Sequence, residues 1–190
     1  MRDPLRTVVW RRLDSPGADR CALRRVRGGW ELEGTAVGAE ETGPFEARYR
    51  VRCDEAWLAR SAEVSLDVAG ERTALSLRVD RHGAWFANGA EVVGVHGLVD
   101  IDLAITPATN TPPIRRAGRE GTLEVAVAYV AFPELVVNPV RQRYTHIADG
   151  RWRYAREGGY DGELEVDDLG LVRRYPGFWE RVAEAPGRAR

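Results

Sequence analysis

The sequence predicts an all-β protein: one many-stranded antiparallel β barrel or roll with an internal cavity and little helix. The first observation is the alternation of apolar and polar residues with period two, as in 45–52 (FEARYRVR), 61–68 and 160–167. Such alternation marks strands with one buried and one wetted face. The second observation is the spacing of turn signals such as DSPGAD, RGG, AGE and ADGR. They recur at about 8–12 residues, as expected of an all-β protein.

Further strands are predicted between these turn signals along the whole chain. They cover residues 5–13, 18–27, 29–38, 72–80, 83–88, 97–105, 121–131, 140–148, 151–157 and 170–175. Helix is predicted only as one turn at 55–59 and as a short segment at 178–184, ahead of a flexible tail at 185–190. No linker or low-complexity stretch interrupts the chain, so residues 1–190 are predicted to form a single β-barrel-like domain.

The number of strands predicts a curved sheet. About a dozen strands cannot stay flat and open, so the sheet curls, closes or splits into layers. A barrel of about eight strands is filled by its own side chains or holds one small ligand, and larger barrels leave an interior. Small residues lie beside aromatic ones on predicted inner faces, namely Gly34, Ala36 and Gly38 beside Trp30, Ala47 beside Tyr49, and Gly162 beside Tyr160. Tight packing and a cavity wall both remain open as explanations.

The charge balance argues against a polyanionic partner. Twenty-eight basic residues stand against twenty-nine acidic ones, giving a formal net charge of −1, so no attraction to nucleic acid is expected. The N-terminal stretch lacks the apolar run of a secretory signal. No segment approaches the roughly 18 apolar residues of a membrane span. A cytoplasmic location is therefore expected, with Cys21 and Cys53 as buried thiols.

No standard catalytic or cofactor motif occurs in the chain. There is no GxSxG elbow, no glycine-rich phosphate loop before a helix and no HExxH pair. The three histidines, His82, His96 and His146, are far apart and never have ligand spacing. No metal and no cofactor are therefore expected.

One segment, VDIDLAITPATNTPPIRR at residues 99–116, concentrates polar side chains. Asp100 and Asp102 share one strand face, with Cα atoms about 7 Å apart by the strand rise. They form either a solvated outer face or a pair that recruits Arg115 and Arg116 or sugar hydroxyls. Paired acids also occur in glycoside hydrolases, but there they face each other across a cleft.

The second half of this segment is predicted as a loop. Its prolines, Pro107, Pro112 and Pro113, prevent regular ladder bonding, and its threonines and asparagine can bond to nearby backbone. A loop whose polar groups satisfy one another, tied to the carboxylates by the arginines, explains the segment without a ligand. A binding site explains it equally.

DIDLAITPATNTPPIRR at 100–116 resembles the hallmark of the bacterial "putative glycolipid-binding" family, formerly a domain of unknown function. That hallmark reads D-[VI]-D-L-x-x-T-P-x-T-N-T-x-P-I-R-R. GPFEARYRVRCDEAWLAR, QRYT at 142–145 and DDLGLVRRYPGFWER agree in order, so the resemblance covers essentially residues 10–181. It implies a many-stranded barrel or roll similar to carriers that hold lipid in a hydrophobic cavity. Ala108, Pro112 and Ala117 depart from the pattern by having less apolar bulk.

The leading hypothesis is a non-enzymatic binding or carrier protein that holds a lipid or glycolipid in a hydrophobic barrel cavity. Arg115→Ala is then expected to weaken ligand retention without unfolding the protein. A polar cluster would fix the head group and aromatic residues would lie near the mouth. The candidate ligand-binding residues are Asp100, Asp102, Thr106, Asn110, Thr111, Arg115, Arg116 and Gln142, with Trp85, Tyr144 and Tyr175 as the aromatic ones.

Two other classes of function stay open. One is an enzyme acting on a small amphipathic substrate, with Asp100 or Asp102 as general base, which a raised carboxylate pKa inside a pocket would favour. The other is a protein-interaction module with a filled core, which an exposed apolar patch would favour.

Overall fold

The computed structural model describes residues 3–41, 43–118 and 121–187, and most of them lie in β-strands. Fifteen strands follow one another along the chain. Their bounds are β1 Arg6–Arg12, β2 Gly17–Val26, β3 Gly29–Glu40, β4 Gly43–Asp54, β5 Ala59–Val68, β6 Glu71–Val79, β7 Trp85–Ala87, β8 Ala90–Glu91, β9 Ile101–Leu103, β10 Thr122–Val130, β11 Val137–Ala148, β12 Arg151–Arg156, β13 Asp161–Val166, β14 Val172–Tyr175 and β15 Trp179–Pro186. The predicted all-β class is confirmed.

All fifteen strands belong to one sheet, in the order β8-β7-β6-β5-β4-β3-β2-β1-β15-β14-β13-β12-β11-β10-β9. Each neighbouring pair is antiparallel except β9 and β10, which are parallel. The sheet is not closed, because β8 and β9 are its edges. The Ala59 N–H of β5 nevertheless donates to the Val99 carbonyl just before β9, at 2.8 Å. The chain just before β9 thus lies against β5, the fourth strand from the opposite edge, and the sheet forms a roll.

Period-two alternation produces these strands where one face is wet. In β4, Phe45, Ala47, Tyr49 and Val51 are buried while their neighbours point outward. The edge strand β9 differs because it lies inside the roll. Its apolar residues belong to the larger core cluster, and Asp102 faces the opposite side towards β11.

Two clusters of buried side chains fill the roll. The larger includes Trp10, Leu23, Leu77 and Trp85, each at most 1% exposed. The smaller includes Tyr144, Trp152, Tyr154, Leu164 and Val172 on the β11–β14 half, together with Ile114 from the segment between β9 and β10.

The small residues on inner faces provide tight packing. A Cβ added at Gly34 would lie 2.3 Å from the Tyr49 hydroxyl oxygen, and one added at Gly162 would lie 2.2 Å from that of Tyr160. Glycine at these positions lets each aromatic ring lie flat across the neighbouring backbone. Of the two explanations left open by the sequence, the packing one holds at both glycines.

The segment predicted as a loop contains helical turns instead. Pro107–Asn110 form a 3-10 turn, and Thr111–Ala117 form the only α-helix among the described residues, α1. The Thr106 side chain begins the 3-10 turn by accepting from the Ala108 N–H at 3.0 Å. Prolines fit the first turn of α1 because the N–H groups there have no intrahelical partner.

The helix predicted at 178–184 is wrong, since these residues belong to the turn before β15 and to β15 itself. The strand pairs with β1 over its whole length. The one helical turn predicted at 55–59 is also wrong: residues 55 and 56 form a hydrogen-bonded turn, and Trp57 has a φ of 66°. The flexible tail predicted at 185–190 stays a prediction, because residues 188–190 lie outside the described residues.

Candidate functional site

The polar segment after β9 is built around Asp102. One oxygen of its carboxylate accepts from the Thr109 hydroxyl at 2.7 Å, and the other accepts from the Gln142 side-chain amide at 2.6 Å. Burial raises the pKa of Asp102, while these two hydrogen bonds and the nearby charge of Arg156 act to lower it. The carboxylate is therefore held by neutral donors, and no basic side chain of the described residues forms an ion pair with it.

Tyr144 of β11 connects Gln142 with the 3-10 turn. Its hydroxyl lies 2.9 Å from the Asn110 side-chain oxygen and 2.9 Å from that of Gln142. The Asn110 amide donates to the Pro107 carbonyl at 3.0 Å. The three side chains are at most 5% exposed. This network fixes the turn against β11, and it uses most of the bonding capacity of Asn110 and Gln142 within the protein.

Asp100 is separated from this network. Its carboxylate accepts from both terminal nitrogens of Arg116, with Nη1 to Oδ1 at 2.6 Å. Nη1 of Arg116 also lies 3.2 Å from the Trp57 carbonyl. Burial raises the pKa of Asp100 and the Arg116 contact opposes that rise. The Asp100 side chain is 1% exposed. The prediction that the acids lie on a solvated outer face is therefore wrong for Asp100.

Three other candidate residues lie outside the Asp102 network. Arg115 is exposed and donates to the Asp168 carbonyl at 3.1 Å, so it does not pair with Asp100 or Asp102. The Thr111 hydroxyl is buried and donates to the Gly170 carbonyl. Trp85 is fully buried, with its indole N–H on the Leu98 carbonyl at 2.9 Å. The prediction that Trp85 lies near a cavity mouth is wrong, because the residue is part of the core.

A cleft of about 270 Å³ opens beside the Asp102 network. Four of the sequence-predicted residues line it: Asp102, Thr106, Asn110 and Tyr175. The other wall contains residues that sequence reasoning missed, namely Tyr129, Phe132, Tyr154, Arg156, Phe178 and Trp179. Aromatic rings and a few convergent polar groups are the usual lining of a small-molecule site.

The aromatic side chains that line the cleft form a cluster of contacting rings. Tyr175 lies 5.8 Å from Tyr154 and 5.0 Å from Phe178, measured between ring centroids. The order Tyr175-Pro176-Gly177-Phe178 makes the turn that brings two of these rings together. Gly177 has a φ of 80°, and the Phe178 N–H donates to the Tyr175 carbonyl. Proline followed by glycine is the signature of a type II turn, a signal that could have been read from the sequence.

Two arginines line the cleft, and they differ in their surroundings. Arg12 at one end pairs with Asp14 at 2.9 Å and with Glu40 at 2.6 Å. Arg156 at the end of β12 lies over the Tyr129 ring, 5.3 Å from its centroid. Arg156 also lines a neighbouring, more open hollow of about 500 Å³, which Gln142 borders as well.

A buried acid behind the cleft was also missed. Asp19 of β2 is 0% exposed and accepts from Tyr49 and Thr106, at 2.8 and 2.5 Å. Its other oxygen has no hydrogen-bond partner among the described residues. Burial raises the pKa of Asp19 to about 7, against the lowering effect of both hydrogen bonds. The signal was present, because Asp19 shares its strand face with the apolar Cys21 and Leu23.

Within the described ranges, no group of three or more histidine, cysteine or acidic side chains is arranged to hold a metal ion. The same residues contain no helix that is both long and apolar enough to cross a membrane.

The rolled sheet and its side cleft define the class: an all-β protein built on one curled, mostly antiparallel sheet. The particular family follows from comparison. The family model described as "Putative glycolipid-binding" matches residues 7–181, and the chain belongs to that family. A crystal structure of a DUF1089 family protein from Pseudomonas aeruginosa is similar, with 31% sequence identity over 86% of this chain and 92% of that chain, and a TM-score of 0.76. Among curated proteins, no match is found.

Proposed function

We propose that the protein is a non-enzymatic binding protein for a glycolipid and that the cleft beside Asp102 takes its sugar head group. The observation that best supports this proposal is the set of side chains that line the cleft. The polar side chains of Asp102, Thr106 and Asn110 face aromatic rings that include Tyr154 and Tyr175. Sugars present hydroxyl groups at their rim and apolar C–H faces, so they fit polar groups set against aromatic rings.

The size of the cleft favours a head group over a whole lipid. Pockets for drug-sized ligands measure about 300–1,000 Å³, and this cleft measures about 270 Å³. An acyl chain would therefore continue outside it. Phe178 at the cleft and Leu13 beside it are 37% and 42% exposed, and the Leu13 N–H donates to the Phe178 carbonyl. These side chains offer an apolar path at the mouth.

The proposal is tested by filling the cleft without touching the core. Ala104 is exposed and lines the cleft, so Ala104→Trp places a large ring there. Ala90 is an exposed residue of β8 that is not part of the lining, so Ala90→Trp is the matched control. Freshly purified protein is incubated with mono- and diglycosyl diacylglycerols, re-purified and extracted, and the bound lipids are identified by mass spectrometry.

The expected result is a sugar-bearing lipid on the wild type and on Ala90→Trp, and its loss from Ala104→Trp. Equal retention by Ala104→Trp would place binding elsewhere, and a wild type that takes up no glycosyl lipid would contradict the function itself. Melting curves of the three proteins show whether the substitutions leave the fold intact.

A second candidate is an enzyme that uses Asp102 as general base. The observation that favours it is the raised pKa of this carboxylate in the cleft. Asp100 is unsuited to this role because Arg116 occupies both of its oxygens. Hydrolysis of a p-nitrophenyl glycoside or ester that disappears in Asp102→Asn would support the enzyme. The absence of turnover at concentrations where the compound binds would support the binding protein.

A further inference from the structure

Arg156 carries a positive charge that the protein itself leaves without a paired acid. Among the described residues, no carboxylate lies within ion-pair distance of its guanidinium, whereas Arg12 across the same cleft is paired twice. Arg156 is half-buried. Burial is the largest single influence on the pKa of Arg156 and lowers it, whereas Tyr129 and Tyr154 raise it. Asp102 also raises this pKa, but as the smallest of these influences. A partly buried charge of this kind is stabilised when a counter-charge arrives.

Phenol hydroxyls lie on the same wall. Tyr154 and Tyr175 line the cleft with Arg156, and neither hydroxyl has a hydrogen-bond partner among the residues described. Burial raises the pKa of both tyrosines, with the charge of Asp102 adding to the rise. Each hydroxyl therefore keeps its proton and can donate it to a ligand oxygen.

The acceptors in the cleft are largely engaged already. Both oxygens of Asp102 accept hydrogen bonds from protein side chains, and the Asn110 oxygen accepts from Tyr144. The side-chain groups of the described cleft lining that remain free to bond to a ligand are thus mainly hydrogen-bond donors, together with one positive charge that has no paired acid. A ligand group that complements it has several acceptor oxygens and a negative charge.

We propose that the cleft binds an anionic head group, with carboxylate or phosphate oxygens of an acidic glycolipid on Arg156 and with Tyr154 and Tyr175 as further donors. This inference rests on the proposed function and narrows its ligand class. The two arginines that the sequence placed among the candidate ligand-binding residues have other roles, because Arg116 pairs with Asp100 and Arg115 donates to the Asp168 carbonyl.

The acids around the cleft are held by partners within the protein. Asp14 and Glu40 both pair with Arg12, whose single positive charge offsets one of their two negative charges. Asp102 remains, and its two oxygens accept hydrogen bonds from Thr109 and Gln142. A sugar hydroxyl can still donate to a spare lone pair of Asp102 while the acidic group contacts Arg156.

A matched pair of probes tests the charge directly. Octyl β-glucoside and octyl β-glucuronide differ by a hydroxymethyl group against a carboxylate, and each is titrated below its micelle concentration by calorimetry. The variants are Arg156→Gln and, as control, Arg153→Gln. Arg153 lies on the same strand but is exposed and pairs with Asp161 outside the cleft. Tyr175→Phe removes one donor and keeps the ring.

We expect the wild type and Arg153→Gln to bind the glucuronide about tenfold more tightly than the glucoside, as befits charge-assisted hydrogen bonds. In Arg156→Gln the affinities for the two compounds should agree within about twofold. Tyr175→Phe should weaken glucuronide binding by about threefold or more, the scale of one lost hydrogen bond.

Equal affinity of the wild type for the two octyl compounds would overturn the anionic class and leave the glycolipid function standing. Binding of neither compound would contradict both. Free glucuronate and inorganic phosphate separate the possible sources of the anion. If either binds as tightly as octyl glucuronide, the anion site is supported and the lipid source is overturned.

Discussion

The carboxylate of Asp100 accepts hydrogen bonds from both terminal nitrogens of Arg116. The contact is buried, because the Asp100 side chain is only 1% exposed. The pair joins the residue before β9 to α1, and the Arg116 contact with the Trp57 carbonyl adds the segment after β4. Removing one partner of a buried pair leaves an uncompensated charge. The two neighbouring arginines of the PIRR sequence thus have different functions, and this difference can be measured.

Arg116→Ala is expected to lower the free energy of unfolding by about 3–5 kcal/mol, the scale for breaking a buried ion pair. Arg115→Ala is the matched control, because Arg115 is exposed and forms no ion pair with a described residue. It should change stability by less than about 1 kcal/mol. Urea denaturation of the two variants provides the comparison. Equal losses would show that the Asp100 contact does not determine the role of Arg116.

Asp19 is expected to make stability depend on pH near neutrality. Its pKa is about 7 in the folded protein and about 3.9 in an unfolded chain. The folded state therefore holds a proton that the unfolded state releases. The stabilisation is complete below pH 4 and is lost as pH rises through 7. Between pH 5 and pH 8 the wild type should lose roughly 2–3 kcal/mol relative to Asp19→Asn.

The measurement for Asp19 is the free energy of unfolding of both proteins by urea at several pH values. Asp19→Asn also controls for the titration of other groups, because the variant and the wild type share every titratable group except Asp19. Parallel pH profiles for the two proteins would mean that Asp19 is ionised across this range.

Gly34 is expected to tolerate no side chain. The Tyr49 hydroxyl that an alanine Cβ would meet at 2.3 Å is itself fixed by hydrogen bonds to Asp19 and Thr106. Gly34→Ala should therefore lower stability by about 1–3 kcal/mol or more, as overpacking does. At Gly94 an added Cβ would meet only Pro139, at 3.8 Å. Melting of Gly94→Ala should stay close to the wild type, and a similar drop in both variants would contradict the packing argument.

Tyr144→Phe is expected to loosen the 3-10 turn at 107–110. The lost hydroxyl holds Asn110 and Gln142 together, and leaving these buried groups without a partner costs about 1–3 kcal/mol. Tyr154 lies opposite Tyr144 on β12, but its hydroxyl has no partner among the described residues. Tyr154→Phe should change stability by less than about 0.5 kcal/mol. Hydrogen exchange of the backbone amides of Ala108, Thr109 and Asn110 would report the loosening, and equal exchange rates in both variants would exclude it.

Most strands could be predicted because a sheet with one wet face imposes period-two alternation on its residues. β15 could not be predicted in this way. Its residues include good helix formers such as Glu180, Arg181 and Ala183. They are extended because β1, from the other end of the chain, pairs with them residue by residue. Such a contact between distant segments overrides local propensity.

The candidate site shows the same division. The sequence grouped Asp102, Asn110, Gln142 and Tyr144, and the structure joins them in one hydrogen-bonded network. Alternation also placed Asp100 on the same strand face as Asp102, but it could not show that Arg116 would form an ion pair with only one of the two acids. Arg156 gave no signal in the sequence. Its distinction lies in lacking an acidic partner within the described structure, and only the three-dimensional arrangement reveals that.

The most direct test of the central claim, that a sugar head group binds in the cleft beside Asp102, is a ¹H–¹⁵N NMR titration with octyl β-glucuronide. The expected result is that chemical-shift changes concentrate in residues 102–110, 154–156 and 175–179, which line or border the cleft. They should disappear in Ala104→Trp and persist in Ala90→Trp. Changes centred instead on Arg115, Gly170 and Arg173, which line a separate hollow, would contradict the account.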